Sequence, residues 1–165
     1  GHKANGALRG QKADIWDGGH REPFIARWPG QVAAGSASDQ LVCLGDLMAT
    51  CAAIIDADLP DGAGPDSYRF LPLLQGKDQP VRDTLVHHSG FGMFSIRRGE
   101  WKLIEALGSG GFTDPRRIEP LPSGPTGQLY NLKEDLAEQK NLWMKRPEIV
   151  NELSAALRDI IERDS

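Results

Sequence analysis

Apolar and polar positions alternate most clearly in "GMFSIRRGEWKLIEAL": Phe94 and Ile96 take turns with Ser95 and Arg97, Gly99 marks a tight connection, and Trp101 and Leu103 resume the apolar positions. A period of two around a central glycine predicts a hairpin with an inward apolar face and a polar edge toward solvent. "TLVHHS" before it and "QLYNL" after it supply two further short extended pieces. At the end of the chain, Ile149, Val150, Leu153, Ala156, Leu157, Ile160 and Ile161 fall on one helical stripe, and Pro147 suits a first helical turn. That helix requires a sheet to cover.

The first half is organised differently. Residues 1–19 are polar and glycine-rich with no durable period, which reads as an extended loop. "PFIARWPG" predicts a strand from Phe24 to Trp28, closed by Pro29-Gly30, and its near-continuous apolar run suits a covered sheet. "SDQLVCL" is a second extended piece. From Asp46 onward, Leu47, Met48, Cys51, Ile54 and Ile55 recur at helical spacing, predicting a helix with a buried face that Asp46 caps. "DADLPDGAGPDS" is a surface connection, and "YRFLPLLQG" a single helical turn. The stretch from Gly108 to Gly127 is long and irregular, the kind of loop that carries a binding or interface duty.

Together these elements predict an α/β layer over residues 1–78, then a small α+β domain over residues 79–165 with an antiparallel sheet and a C-terminal helix. Composition changes this picture little. The chain has 165 residues, 39% hydrophobic and 25% charged, as in ordinary globular proteins. A formal charge of -4 argues against general attraction to nucleic acid or an acidic membrane, and the small basic clusters "RRGEWK" and "DPRR" sit among acidic residues. No apolar run reaches the ~18 residues of a membrane span. The two cysteines, Cys43 and Cys51, form no CxxC pair or zinc spacing and read as buried packing residues.

Candidate chemistry centres on "LRGQKADIWDGG". The ammonium of Lys12 suits a compact anionic oxygen or charge developing on a leaving oxygen; the plain alternative is an exposed, solvated lysine. Gly10, Gly18 and Gly19 allow close backbone approach, and Trp16 is suited to wall the loop against water. Asp14 and Asp17 are carboxylates on a turn, read as structural before metal-ligating, and Arg21 either pairs locally or meets an anion. In His87-His88-Ser89, adjacent strand residues point to opposite faces, so one histidine at most faces a given pocket. His2 and Lys3 form a small cationic cluster, and His20 stands beside Arg21. The GxxxxGK[ST] phosphate loop is absent.

The blocks "GHKANGALRGQKADIWDGGHREPFIARWPG", "SDQLVCLGDLMAT", "FLPLLQG", "SIRRGEWKLI" and "QLYNLKEDLAEQKNL" together resemble the C-terminal portion of the type I sulfatases, the arylsulfatase A-like family of the alkaline-phosphatase superfamily. The resemblance implies an α/β fragment of an alkaline-phosphatase-like domain followed by a small domain with a four-stranded antiparallel sheet and a helix. It implies that Lys12 binds the sulfate and assists at the ester oxygen. A histidine of the smaller domain, His87 or His88, would lie near the substrate. Asp17 and Arg21 inherit a supporting role, and "GHK" resembles the end of the loop that follows the family's last metal-ligand pair.

The family also uses a formylglycine made within a C/S-x-P-x-R block, and calcium held by an early pair of aspartates and a later Asp-Asn pair. Neither Cys43 nor Cys51 lies in such a block. The expectation is therefore a fragment of a sulfuric ester hydrolase, inactive by itself and holding no calcium. Its parent would be periplasmic or extracellular and act on a sulfate-ester small molecule or sulfated glycan. The α/β fragment would expose strand edges open to self-association. Two other readings stay open: a fragment of a phosphonate or phosphate monoester hydrolase, and a noncatalytic binding or structural module.

Overall fold

A computed structural model describes residues 4–163. His2 and Lys3, and the "GHK" they belong to, lie outside the described residues. Residues up to Glu22 group with Val86 onward into one compact unit, while Pro23–Leu85 make a second.

The first unit is built on a four-stranded sheet in the order β1-β2-β3-β4: β1 (Thr84–His88), β2 (Phe94–Arg98), β3 (Trp101–Ile104) and β4 (Gln128–Asn131). Strands β2 and β3 form the expected hairpin, with Arg98 opposite Trp101 and Gly99 at φ 55° in the turn. The β3–β4 pairing sets Lys102 opposite Tyr130 and Leu103 opposite Leu129. Side chains one step apart on a strand take opposite faces, so Ile96, Leu103 and Leu129 share one face, and Ser95, Arg97, Lys102, Ile104 and Tyr130 share the other.

Helix α3 (Pro147–Arg163) covers the first face as its stripe requires: Val150, Leu153 and Leu157 are buried against Ile96, Leu103 and Leu129. The second face departs from expectation. Instead of meeting solvent, it lies beneath residues 9–20: Ile15 and Trp16 join Met93, Ile104, Tyr130 and Leu132 in a second core. Ser95 and Lys102 are fully buried. The sheet therefore has two dry faces, one sealed by a helix and the other by an irregular segment.

In the second unit, helix α1 (Leu47–Ile54) and the single turn α2 (Leu71–Leu74) form where the pattern placed them. Asp46 organises their junction, accepting from the backbone of Cys43 and Tyr68 and pairing with Arg82. Three expectations fail here: Asp46, whose carboxylate is taken by Cys43, Tyr68 and Arg82, gives α1 no side-chain cap. Phe24–Trp28 forms no strand, since no described strand lies alongside to take its hydrogen bonds, and Ile25 is 91% exposed. The apolar positions of α1 are mostly open as well: Met48, Ile54 and Ile55 are exposed, and so is Cys51, against the expected buried packing. Thr50 is the helix's buried residue, its hydroxyl donating to Asp46 and accepting from Phe70 N–H.

Candidate functional site

The segment that seals the sheet is the one that carries Lys12. Its tip is a four-residue turn, Gln11 to Asp14, closed by Asp14 N–H donating to Gln11 C=O at 2.9 Å, with Ala13 at φ 75°. A positive φ at the third position is the signature of a type II turn, which here puts Lys12 at the second position, pointing outward. The turn is fastened from several sides. The Asp14 carboxylate accepts from Gln11 N–H at 2.9 Å and from the backbone and hydroxyl of Thr113. Gly90 N–H donates to Ala13 C=O at 2.8 Å, and Ile15 N–H to Ser109 C=O at 2.8 Å.

The side chains around Lys12 are thus consumed in holding it, while Lys12 itself is exposed and has no ion pair among the described residues. Asp14 is a turn clamp. Trp16, read as walling the loop against water, is buried, its indole N–H donating to Gln128 at 3.0 Å and its ring carrying the Arg9 guanidinium 3.6 Å from the centroid. Gly18 does need its missing Cβ, but for its own chain: a side chain there would strike the carbonyls of Arg9 and Gly10.

Directly beneath this segment lies a buried ionic cluster that sequence reasoning missed. Lys102 on β3 is 0% exposed, with its ammonium 2.7 Å from Asp17 Oδ1 and 2.9 Å from Glu138 Oε1. Glu138 reaches on through its other oxygen to accept from Asp17 N–H at 2.6 Å, and its carbonyl accepts from Arg9 at 2.7 Å. Burial pushes the Asp17 carboxyl up, but Lys102, with Arg97 and Arg21 behind it, more than offsets this and leaves it below its ordinary value. For Glu138 burial wins over the Lys102 attraction, and its pKa is raised. Such a cluster ties three chain segments together at a fixed geometry, with Lys102 and Glu138 fully buried and Asp17 nearly so.

The histidines separate by exposure. His87 packs its ring 4.0 Å from that of His20, and its Nε2 lies 2.9 Å from the Ser95 hydroxyl. Burial, then repulsion from Lys102, lowers His87 to about 3; the same two causes lower His20 to about 4. Both rings are neutral at pH 7, and His87 Nδ1 has no hydrogen-bond partner. His88 is exposed, with Nδ1 2.8 Å from the Ser89 carbonyl. A carbonyl only accepts, so Nδ1 bears the proton and a neutral His88 offers Nε2 as an acceptor. Gly90, two residues further on, carries the bond to the Lys12 turn.

No described group of three or more His, Cys, Asp or Glu side chains is arranged to hold a metal. The carboxylates nearest Lys12 are committed to backbone donors, to Thr113 and to Lys102. They do not fit calcium, and neither cysteine lies in a formylglycine block.

With the fold and the Lys12 segment in view, comparison with known proteins gives a class: in sequence and in fold the chain matches the arylsulfatase and alkaline-phosphatase superfamily. No family model matches. Among curated proteins it is similar to an N-acetylgalactosamine-6-O-sulfatase of Bacteroides thetaiotaomicron, 34% identical over 163 residues that make up 99% of this chain and 32% of the relative. It is also similar to arylsulfatase A of Bos taurus, 32% identical over 94% of this chain and 32% of the relative. A solved Bacteroides thetaiotaomicron structure, described with the metabolism of multiple glycosaminoglycans, superposes with a TM-score of 0.79 at 32% identity, covering 97% of this chain and 33% of that one. The chain spans about a third of the length of the curated relatives it matches.

Proposed function

We propose that the chain is the C-terminal part of a sulfuric ester hydrolase, with residues 1–78 closing its catalytic α/β domain and residues 79–165 forming its small sheet-and-helix domain. In that reading Lys12 binds the sulfate group and stabilises negative charge on the ester oxygen as the sulfur–oxygen bond breaks. His88, two residues before the Gly90 that bonds the Lys12 turn, offers an accessible ring nitrogen to the substrate. His87 supports the strand from beneath, packed on His20 and Ser95.

The observation that carries the reading is the Lys12 turn. A lysine with no ion-pair partner, held out on a turn whose neighbours all serve to fix it, is suited to an anion that arrives from outside. A solvated surface lysine needs no such scaffold. The similarity to an N-acetylgalactosamine-6-O-sulfatase over nearly the whole chain makes a sulfated sugar the favoured substrate.

Formylglycine and calcium belong to this proposal for the parent enzyme only. No step is assigned to them here, because the described residues offer neither a seat. The parent would act outside the cytoplasm, on sulfated glycans or smaller sulfate esters. This chain alone is expected to be inactive, since one cation cannot both position a nucleophile and neutralise the equatorial oxygens. The test is turnover by the complete protein of N-acetylgalactosamine 6-sulfate against the matching 6-phosphate. Preference for the sulfate supports the reading; hydrolysis of the phosphate alone, or of neither, contradicts it.

A further inference from the structure

Two backbones dock on the Lys12 turn, and each continues into an exposed phenylalanine. Gly90 donates to Ala13 C=O and is followed by Phe91; Gly111 lies so close that a Cβ would collide with the same carbonyl, and it is followed by Phe112. The two rings meet edge to face with centroids 6.3 Å apart, yet remain 60% and 53% exposed. Large aromatics left open in contact with each other form an apolar ledge beside the turn that carries Lys12.

Phe91 also lines a cavity of about 510 Å³, together with Met93, Arg116, Arg117 and Glu105 among others. Phe91 N–H donates to Gly110 C=O at 3.1 Å, which fixes the rim. The Arg116 guanidinium rests 5.3 Å from the Phe91 ring centroid, a seating that leaves its in-plane N–H groups available. Its acidic neighbour Asp114 is 3.8 Å away, and Arg117 is 3.6 Å from Glu119. Both pairs are well exposed and weak. Two arginines thus face the single lining carboxylate Glu105, one of whose oxygens already accepts from Phe94 N–H at 3.0 Å.

We infer that this cavity is a subsite for an anionic sugar residue adjoining the one whose sulfate is held by Lys12. The ring would pack its C–H face on the Phe91–Phe112 ledge, and its carboxylate or sulfate would be taken by Arg116 and Arg117. Gly90, which donates to Ala13 C=O at 2.8 Å, directly precedes Phe91 on the cavity wall, so the Lys12 turn and the cavity are joined by one short run of backbone. The irregular stretch from Gly108 to Gly127 thereby acquires its duty as a specificity loop.

The inference rests on the sulfatase reading for its reaction but not for its binding, so two measurements are needed. In the complete protein, an Arg116→Ala, Arg117→Ala double variant is compared with the parent on N-acetylgalactosamine 6-sulfate and on the same sugar joined to glucuronate. The ratio of kcat/KM for disaccharide over monosaccharide should fall about tenfold, the loss expected for charge-assisted hydrogen bonds. An unchanged ratio overturns the subsite. Independently of turnover, saturation-transfer NMR with a hyaluronan tetrasaccharide, which carries glucuronate and no sulfate, should show contact with glucuronate protons, lost in the double variant and weakened in Phe112→Ala. No transfer to the unmodified protein overturns the subsite even if the sulfate is hydrolysed; transfer without sulfate turnover leaves the subsite standing and removes the reaction.

Discussion

Replacing Lys102 with methionine keeps most of the side-chain volume and removes the ammonium from between two carboxylates. Lys102 is fully buried, and its nitrogen lies 2.7 Å from Asp17 and 2.9 Å from Glu138, so neither carboxylate gains water in exchange. Removing one partner of a buried ion pair costs about 3–5 kcal/mol, because the other is left charged and desolvated. At about 2–4 °C per kcal/mol for a chain of this size, the melting temperature of the sheet unit should fall by about 6–20 °C. The assay is tryptophan fluorescence in a Trp28→Phe background, which leaves Trp16, Trp101 and Trp143 to report on the sheet unit. The deficit should shrink as the pH drops from 7 toward 5, since unpaired carboxyls there take up protons. Adding Asp17→Asn and Glu138→Gln should restore much of the loss. A Lys102→Met melting temperature within about 2 °C of the parent refutes the reasoning.

Acid should destabilise the same unit through its histidines. His20 and His87, lowered to about 4 and 3, stay neutral in the fold while the unfolded chain protonates near 6.5. The unfolded state therefore binds more protons between about pH 6.5 and 4, and stability falls as pH falls through that window, by at most about 1.4 kcal/mol per pH unit for each ring. Urea midpoints at pH 7, 6 and 5 check this, and His87→Gln should flatten the trend; a pH-independent midpoint would count against it. Gly111→Ala should loosen the Lys12 turn, because its methyl meets the Ala13 carbonyl and the Asp14 carboxylate; amide exchange at Ala13 and Ile15 should quicken, and unchanged protection would contradict the docking described. The open apolar residues of the second unit, Ile25, Leu44, Met48 and Ile55 among them, should drive concentration-dependent association of this chain, seen by sedimentation velocity. A monomer at all concentrations would argue against that.

The strands, the hairpin and the terminal helix were legible because their periods are local: Gly99 between alternating residues, and the stripe from Val150 to Leu157, each need only nearby sequence. The buried cluster was not. A period of two shows which side chains share a face but not whether anything covers it, so Ser95, Arg97 and Lys102 read as a solvent edge when residues 9–20 lie over them. The signal available was that Ile104 shares Lys102's face, an odd neighbour for a solvated lysine. In the second unit the apolar runs at Phe24–Trp28 and along α1 implied covering layers that the described residues do not supply. Lys12 was legible as a residue type in a loop; its type II turn, set by Asp14, Gly90 and Thr113, depends on contacts up to 99 residues away.

In the proposed role, Lys12 is fixed in space to meet a sulfate. The most direct test of that role is Lys12→Ala in the complete protein, assayed as kcat/KM on N-acetylgalactosamine 6-sulfate alongside the melting temperature. Loss of a positioned cation at a developing oxyanion predicts a fall of about 10²–10³-fold. The melting temperature should move by less than about 2 °C, because the side chain is exposed and fastens nothing. Turnover within about threefold of the parent would contradict the account.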